Sequence, residues 1–165
     1  MGLPASRRQV ALEDLRTRLS YVQIAKGYNT DAGKTILLGE EPRFGPDDPT
    51  TALALSIGDE SVDVQGAVIT TRVPVSVWAI VPVGTSEPLL AVEAIIVDIK
   101  EAVEIEPDGS IERSLGVIEG SSATQPKGLQ RGPTRALKRQ EGSTYVGAAV
   151  EYVLTFEERW GGGGR

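Results

Sequence analysis

Apolar residues recur along this chain at two spacings, and the change from one to the other marks out the elements. Leu12, Leu15, Leu19 and Val22 fall at three- and four-residue steps while Glu13, Arg16 and Arg18 point away, which predicts an amphipathic helix over roughly residues 6–24. Ser6 and Gln9 have capping-box spacing at its start, and Gly27 ends it. Tyr28 to Gly33 is rich in turn formers, Ile36-Leu37-Leu38 is a short apolar run, and Pro42 to Pro49 reads as an exposed loop. Period-two alternation then takes over. Leu53, Leu55 and Ile57 predict a strand over 51–57, Asp59 to Gly66 a polar connection, and Ala67 to about Val81 the longest strand. In that strand Val73, Val75, Val77, Ala79 and Val81 take one face, with Arg72, Ser76 and Trp78 on the other. Pro74 cannot donate to a ladder and predicts an edge or a bulge.

A second helix is predicted after Ser86 as cap, with Pro88 in its first turn. Its buried stripe is Leu89, Val92, Ile96, Ile99 and Val103, and its wet side Asp98, Lys100, Glu101 and Glu104. Pro107-Asp108-Gly109 is a turn, and Leu115, Val117 and Ile118 lie in a poorly patterned region with a long loop expected around 119–133. Gln140 to Ser143 predicts a hairpin turn from a strand near 134–139 into a final strand. There Val146, Ala148, Val150, Tyr152, Leu154 and Phe156 alternate with more polar positions. The fold class is therefore α+β: a mostly antiparallel sheet of about four or five strands with two main helices packed on it. One domain over 1–160 and a flexible glycine tail over 161–165 are expected.

Composition narrows the chemistry. The 165 residues include no Cys and no His, which removes thiol nucleophiles, disulfides, the commonest metal ligands and the commonest general base. No catalytic residue, cofactor or metal is expected. A net charge of −6 argues against a nucleic-acid coat or a membrane-surface binder. No apolar run has the length of a membrane helix, and the N-terminal segment lacks the apolar core of a signal peptide, so synthesis and folding in a cytoplasm are expected.

Three chemical patterns need weighing. Gly27 to Thr35 ends in Gly-Lys-Thr, yet five residues separate Gly27 from Gly33 where a phosphate-binding loop has four, and the segment follows a helix instead of a strand. Ile95 to Asp98 imitates a magnesium-binding strand end but sits in helical spacing. The acidic pairs Asp47-Asp48 and Asp59-Glu60 lack calcium-loop spacing, and Glu157-Glu158 reads as a wet strand end. One asymmetry remains. Lys127, Arg131, Arg135, Lys138 and Arg139 form a basic stretch with no acid among them, either a solvated face or a contact with a neighbouring subunit, a partner or passing DNA.

Three segments resemble the tail terminator and tail-completion proteins of long-tailed phages. They are Ile24 to Gly33, with its Gly-Tyr and Thr-Asp after the first helix; the helical Ala94 to Val103 behind a long strand; and the closing strand Val150 to Phe156. The resemblance covers most of the chain outside about 110–135. It implies an α/β fold, a homo-oligomeric ring (hexameric in known members), and a place in the virion at the head-proximal end of the tail. It further implies contacts with tail-tube protein and with a head-completion or connector protein, DNA only as passing cargo, and no catalysis. A head–tail connector or neck protein, a small nucleic-acid-binding module and a nucleotide-binding enzyme are the alternatives.

Overall fold

A computed structural model describes residues 7–39, 51–105, 126–137 and 142–159. The Ser6 cap, the Pro42–Pro49 loop with Asp47-Asp48, the Pro107-Asp108-Gly109 turn, the patch at Leu115 to Ile118, Lys138, Arg139 and the glycine tail lie outside them.

Helix α1 runs Arg7–Ser20, and a 3-10 turn at Ile24–Lys26 follows it, closed by Gly27 at φ 95. A left-handed residue of this kind lets a carbonyl accept a reversed bond at little steric expense, and the Gly27 N–H donates to the Ile24 carbonyl. Strands β1 (Ile36–Leu38), β2 (Ala52–Ile57), β3 (Ser61–Gln65) and β4 (Val68–Pro82) come next, then helix α2 (Pro88–Glu104), β5 (Pro126–Ala136) and β6 (Tyr145–Arg159). The sheet is ordered β1-β2-β4-β6-β5, with β3 on β4 as well. Among the described strands only β1–β2 is a parallel pair; the other pairs are antiparallel. The α+β class stands, with six described strands instead of four or five.

The fifteen-residue strands β4 and β6 pair along their whole length and form the axis of the sheet. Directly opposed residues share a face, so Val73, Val75, Val77 and Ala79 meet Leu154, Tyr152, Val150 and Ala148 on one side. There α2 packs across β4 and β6, and α1 packs against α2 and β1. Ala11, Leu15, Leu19 and Val22 of the first helical region join Val92, Ile95, Ile96, Ile99, Ala102 and Val103 of α2 in this core. Leu15→Ala is expected to lower stability by about 2–5 kcal/mol, read from the urea midpoint, because a fully buried leucine leaves both lost transfer energy and a cavity.

Pro74 lies in a central strand, not at an edge. Its carbonyl accepts from the Gly58 N–H at 2.9 Å. In an antiparallel strand a residue's N–H and C=O point to the same neighbour, so the missing donor also falls on the β2/β3 side. That is where the ladder is interrupted, with Ile57 opposite Val75 and Ser61 opposite Arg72. The strand stays in continuous register with β6 through Pro74, and on its other side the ladder passes there from β2 to β3.

Four other expectations change. Ser61–Gln65 is a strand, joined to β4 by a tight turn with Gly66 at φ 62, where a polar connection is predicted. Its five exposed residues bury nothing, so alternation is its only signal. Of the loop expected over 119–133, residues 126–133 belong to β5 and 119–125 lie outside the described residues; Pro126 and Pro133 disguise the strand, and are tolerated because it is an edge of the described sheet with two register shifts. Leu89 is 70% exposed because the first turn of α2 stands clear of the sheet, and Val92 is the first buried position. Glu87, not Ser86, occupies the cap position.

Candidate functional site

The largest departure from the expected pattern is Asp98, assigned by periodicity to the wet side of α2. It is fully buried, the one buried charged residue among those described. Its Oδ1 accepts from the Asn29 backbone N–H at 3.0 Å and from Asn29 Nδ2 at 2.8 Å, and its Oδ2 accepts from Thr30 Oγ1 at 2.7 Å. A carboxylate withdrawn from water needs such donors. Here they come from the polar turn after α1, so Asp98 fastens that turn to α2. The signal available in the sequence is Ala91, Ile95 and Ala102 at helical steps around Asp98, an apolar line with one acid inside it.

The same turn is locked from its other side. The Gly33 N–H donates to the Val22 carbonyl at 2.9 Å. A Cβ on Gly33 would run into the backbone of Leu19 and Val22, so only glycine allows this approach. Asp31 Oδ1 accepts from the Ile24 N–H at 3.1 Å and Asp31 Oδ2 from Lys34 Nζ at 2.9 Å. The Lys34 ammonium and then the Ile24 N–H hold the Asp31 carboxyl below its ordinary range. That depressed value makes the contribution present above the unfolded-state value and lost as pH falls through the folded one; being exposed, the pair is screened and its effect small. Tyr28 is raised by burial, then by the nearby charges of Glu101 and Asp98.

These contacts use up the Gly-Lys-Thr segment. Ala32–Lys34 is a three-residue 3-10 turn leading into β1, and the Lys34 ammonium is bound to Asp31. No helix begins there to present N–H groups to phosphates. ATP or GTP with Mg²⁺ is expected to leave the melting temperature unchanged, since a ligand well above its dissociation constant would raise it. Among the described residues no group of three or more carboxylates is placed to hold a metal ion.

A second polar group lies where α2 crosses β6. Tyr152 Oη donates to Glu104 Oε1 at 3.2 Å, and Arg131 Nη1 lies 3.3 Å from both Glu104 oxygens. Burial, followed by the Glu104 charge, pushes the Tyr152 hydroxyl well above its ordinary range. The phenol stays neutral and serves as a donor.

Of the basic stretch, Arg131 and Arg135 are placed. Arg131 pairs with Glu104, and Arg135 Nε with Glu151 Oε1 at 3.0 Å; the Arg131 side chain is half-exposed and that of Arg135 more so. Lys127 lies on the same strand, β5. The structure thus puts these three on one sheet edge, while Lys138 and Arg139 fall outside the described residues. Glu60, from one of the acidic pairs, meets Arg8 at 3.2 Å. It adjoins the opposite edge, where Val62 and Val64 of β3 are 56% and 59% exposed.

No family model matches the sequence, and no curated protein does. A solved structure described as the virion of a native gene transfer agent (GTA) particle contains a similar chain. The match has a TM-score of 0.57 and covers 93% of this chain and 99% of that one, at 13% identity. The two chains share a fold. The similarity runs nearly end to end in both, so it takes in the helices and the sheet together.

Proposed function

We propose that this chain is a non-enzymatic structural protein of a phage-like virion, which forms a ring at the head-proximal end of the tail. It would stop tail-tube polymerisation there and offer its outer surface to a head-completion or connector protein. The observation that carries the reading is the nearly full-length fold match to a chain of a gene transfer agent virion. The absence of His and Cys from the sequence supports the non-enzymatic part. The tail-terminator role and the hexameric ring rest on the resemblance of the three segments, and the buried Asp98 supplies a structural purpose for one of them. Tying Asn29 and Thr30 to α2 makes that segment a brace within the subunit, so its value would be a rigid subunit and not a ligand site.

The test is to make particles without the protein and measure tail lengths by electron microscopy. Overlong tails are expected. Tails of normal length beside filled, tailless heads would transfer the role to a neck component, and unaltered particles would remove the chain from the virion altogether.

A further inference from the structure

The described sheet ends in two unlike edges, and their chemistry is complementary. One carries β3 with the connection before it: Asp59, Glu60 and Asp63 are three acids with no base between Gly58 and Gly66. All of β3 is exposed, and its outer backbone groups have no strand partner among the described residues. The other edge is β5, where Lys127, Arg131 and Arg135 are three bases with no acid between Pro126 and Ala136. We propose that these edges join copies of the chain, β3 of one subunit lying antiparallel beside β5 of the next. The proposal rests on the self-association part of the function above and adds the surface that performs it.

Strand direction fits. Both β3 and β6 run antiparallel to β4, and β5 runs antiparallel to β6, so β3 and β5 point in opposite directions. Two copies set side by side in the same orientation therefore meet antiparallel and continue the pattern of the sheet. Length fits as well. Between its two irregularities β5 offers the regular run Gly128–Arg131, and β3 has five residues.

Faces also match. Val62 is in register with Thr71, and Thr71 with the core residue Phe156, so Val62 lies on the helix-bearing face; Val64, opposite Ile69, lies there too. Leu129, opposite Leu154, is on that face in β5. In the joint the two exposed valines extend the apolar layer past Leu129. Their exposure is then the exposure of half an interface.

The edges also differ in protection. Prolines, two register shifts and basic side chains restrict what β5 accepts, whereas β3 has no proline or lysine and presents bare backbone. Such an asymmetric pair selects the heterologous contact over β3–β3 pairing, where like charges would face each other. Heterologous contacts close into a ring when the rotation per copy divides a full turn. Glu104 and Glu151 are partly buried, but the Arg131 and Arg135 side chains keep about half or more of their surface in solvent, where a neighbour's acids can reach them.

Two charge-reversed forms test this by sedimentation velocity and native mass analysis, alone and with tail-tube protein. One carries Asp59→Lys with Asp63→Lys, the other Lys127→Glu with Arg135→Glu. Each is expected to weaken self-association by on the order of tenfold or more, as reversed charges do across a paired surface. An equimolar mixture is expected to reassemble with the two forms alternating, because each reversed edge then meets its complement; a misfolded variant would not recover. Reversed forms that assemble like the wild type, or that keep the wild-type circular dichroism spectrum and yet dissociate and never recombine, overturn the edge pairing and leave the virion role standing. A wild-type chain that stays monomeric with tail-tube protein present overturns the ring as well.

Discussion

Asp98→Ala is expected to lower the unfolding free energy by about 3–5 kcal/mol, the largest loss of any single polar substitution among the described residues. Three donors point at that carboxylate, and truncation leaves an Asn29 N–H and a Thr30 hydroxyl in a site that water does not readily reach. An orphaned buried donor costs about 1–3 kcal/mol, and a bond to a charged acceptor contributes about 1.5–3. Asp98→Asn keeps one acceptor oxygen but turns an NH₂ toward groups that are themselves donors, so about half the loss is expected. Urea unfolding followed by circular dichroism would measure both. An alanine variant within about 0.5 kcal/mol of wild type, the range of ordinary surface substitutions, would mean that the turn holds its place without Asp98.

Gly33→Ala is expected to cost about 2–3 kcal/mol, the usual range for forcing extra volume into a packed site. The reason is not backbone conformation. The added methyl has to enter space held by the carbonyls of Leu19 and Val22 and the Val22 N–H, and backbone atoms at the end of a helix cannot swing aside as a side chain can. Relief requires the turn to lift away from α1. That motion would stretch the same bonds Asp98 makes. The two substitutions are therefore expected to be less than additive when combined, since each undocks one segment and it can be undocked only once. Additive losses in the double variant would show that the two locks hold separate pieces of chain.

Both sites show where sequence periodicity stops being informative. The long strands β4 and β6 and the core stripe from Val92 to Val103 were legible because burial of one face imposes a period, and the residues obey it over many turns. Asp98 breaks that rule for a local reason, three donors arriving from residues about seventy positions earlier, and no helical pattern records them. β3 was illegible because it buries nothing, and β5 because Gly128, Gly132, Pro126 and Pro133 resemble a loop. In both strands the backbone pairing is set by the neighbour and not by the strand's own composition. Of the basic stretch, the charge was legible and the geometry was not. Three of its five members occupy one edge strand, where an acidic edge lies across the sheet.

The place of β6 has a consequence for how the chain reaches its native state. It is the last described element in sequence, yet it lies between β4 and β5 and supplies the middle of the sheet. Until residues 145–159 have left the ribosome, one flank of β4 and the whole of β5 lack the partner they have among the described residues, and α2 lacks half of the surface it covers. Folding must then wait for long-range pairing, which is slow because distant segments have to meet before any of that burial is gained. The nascent chain spends this interval with the apolar face of β4 uncovered, and its demand for chaperone protection should fall sharply once the last strand emerges.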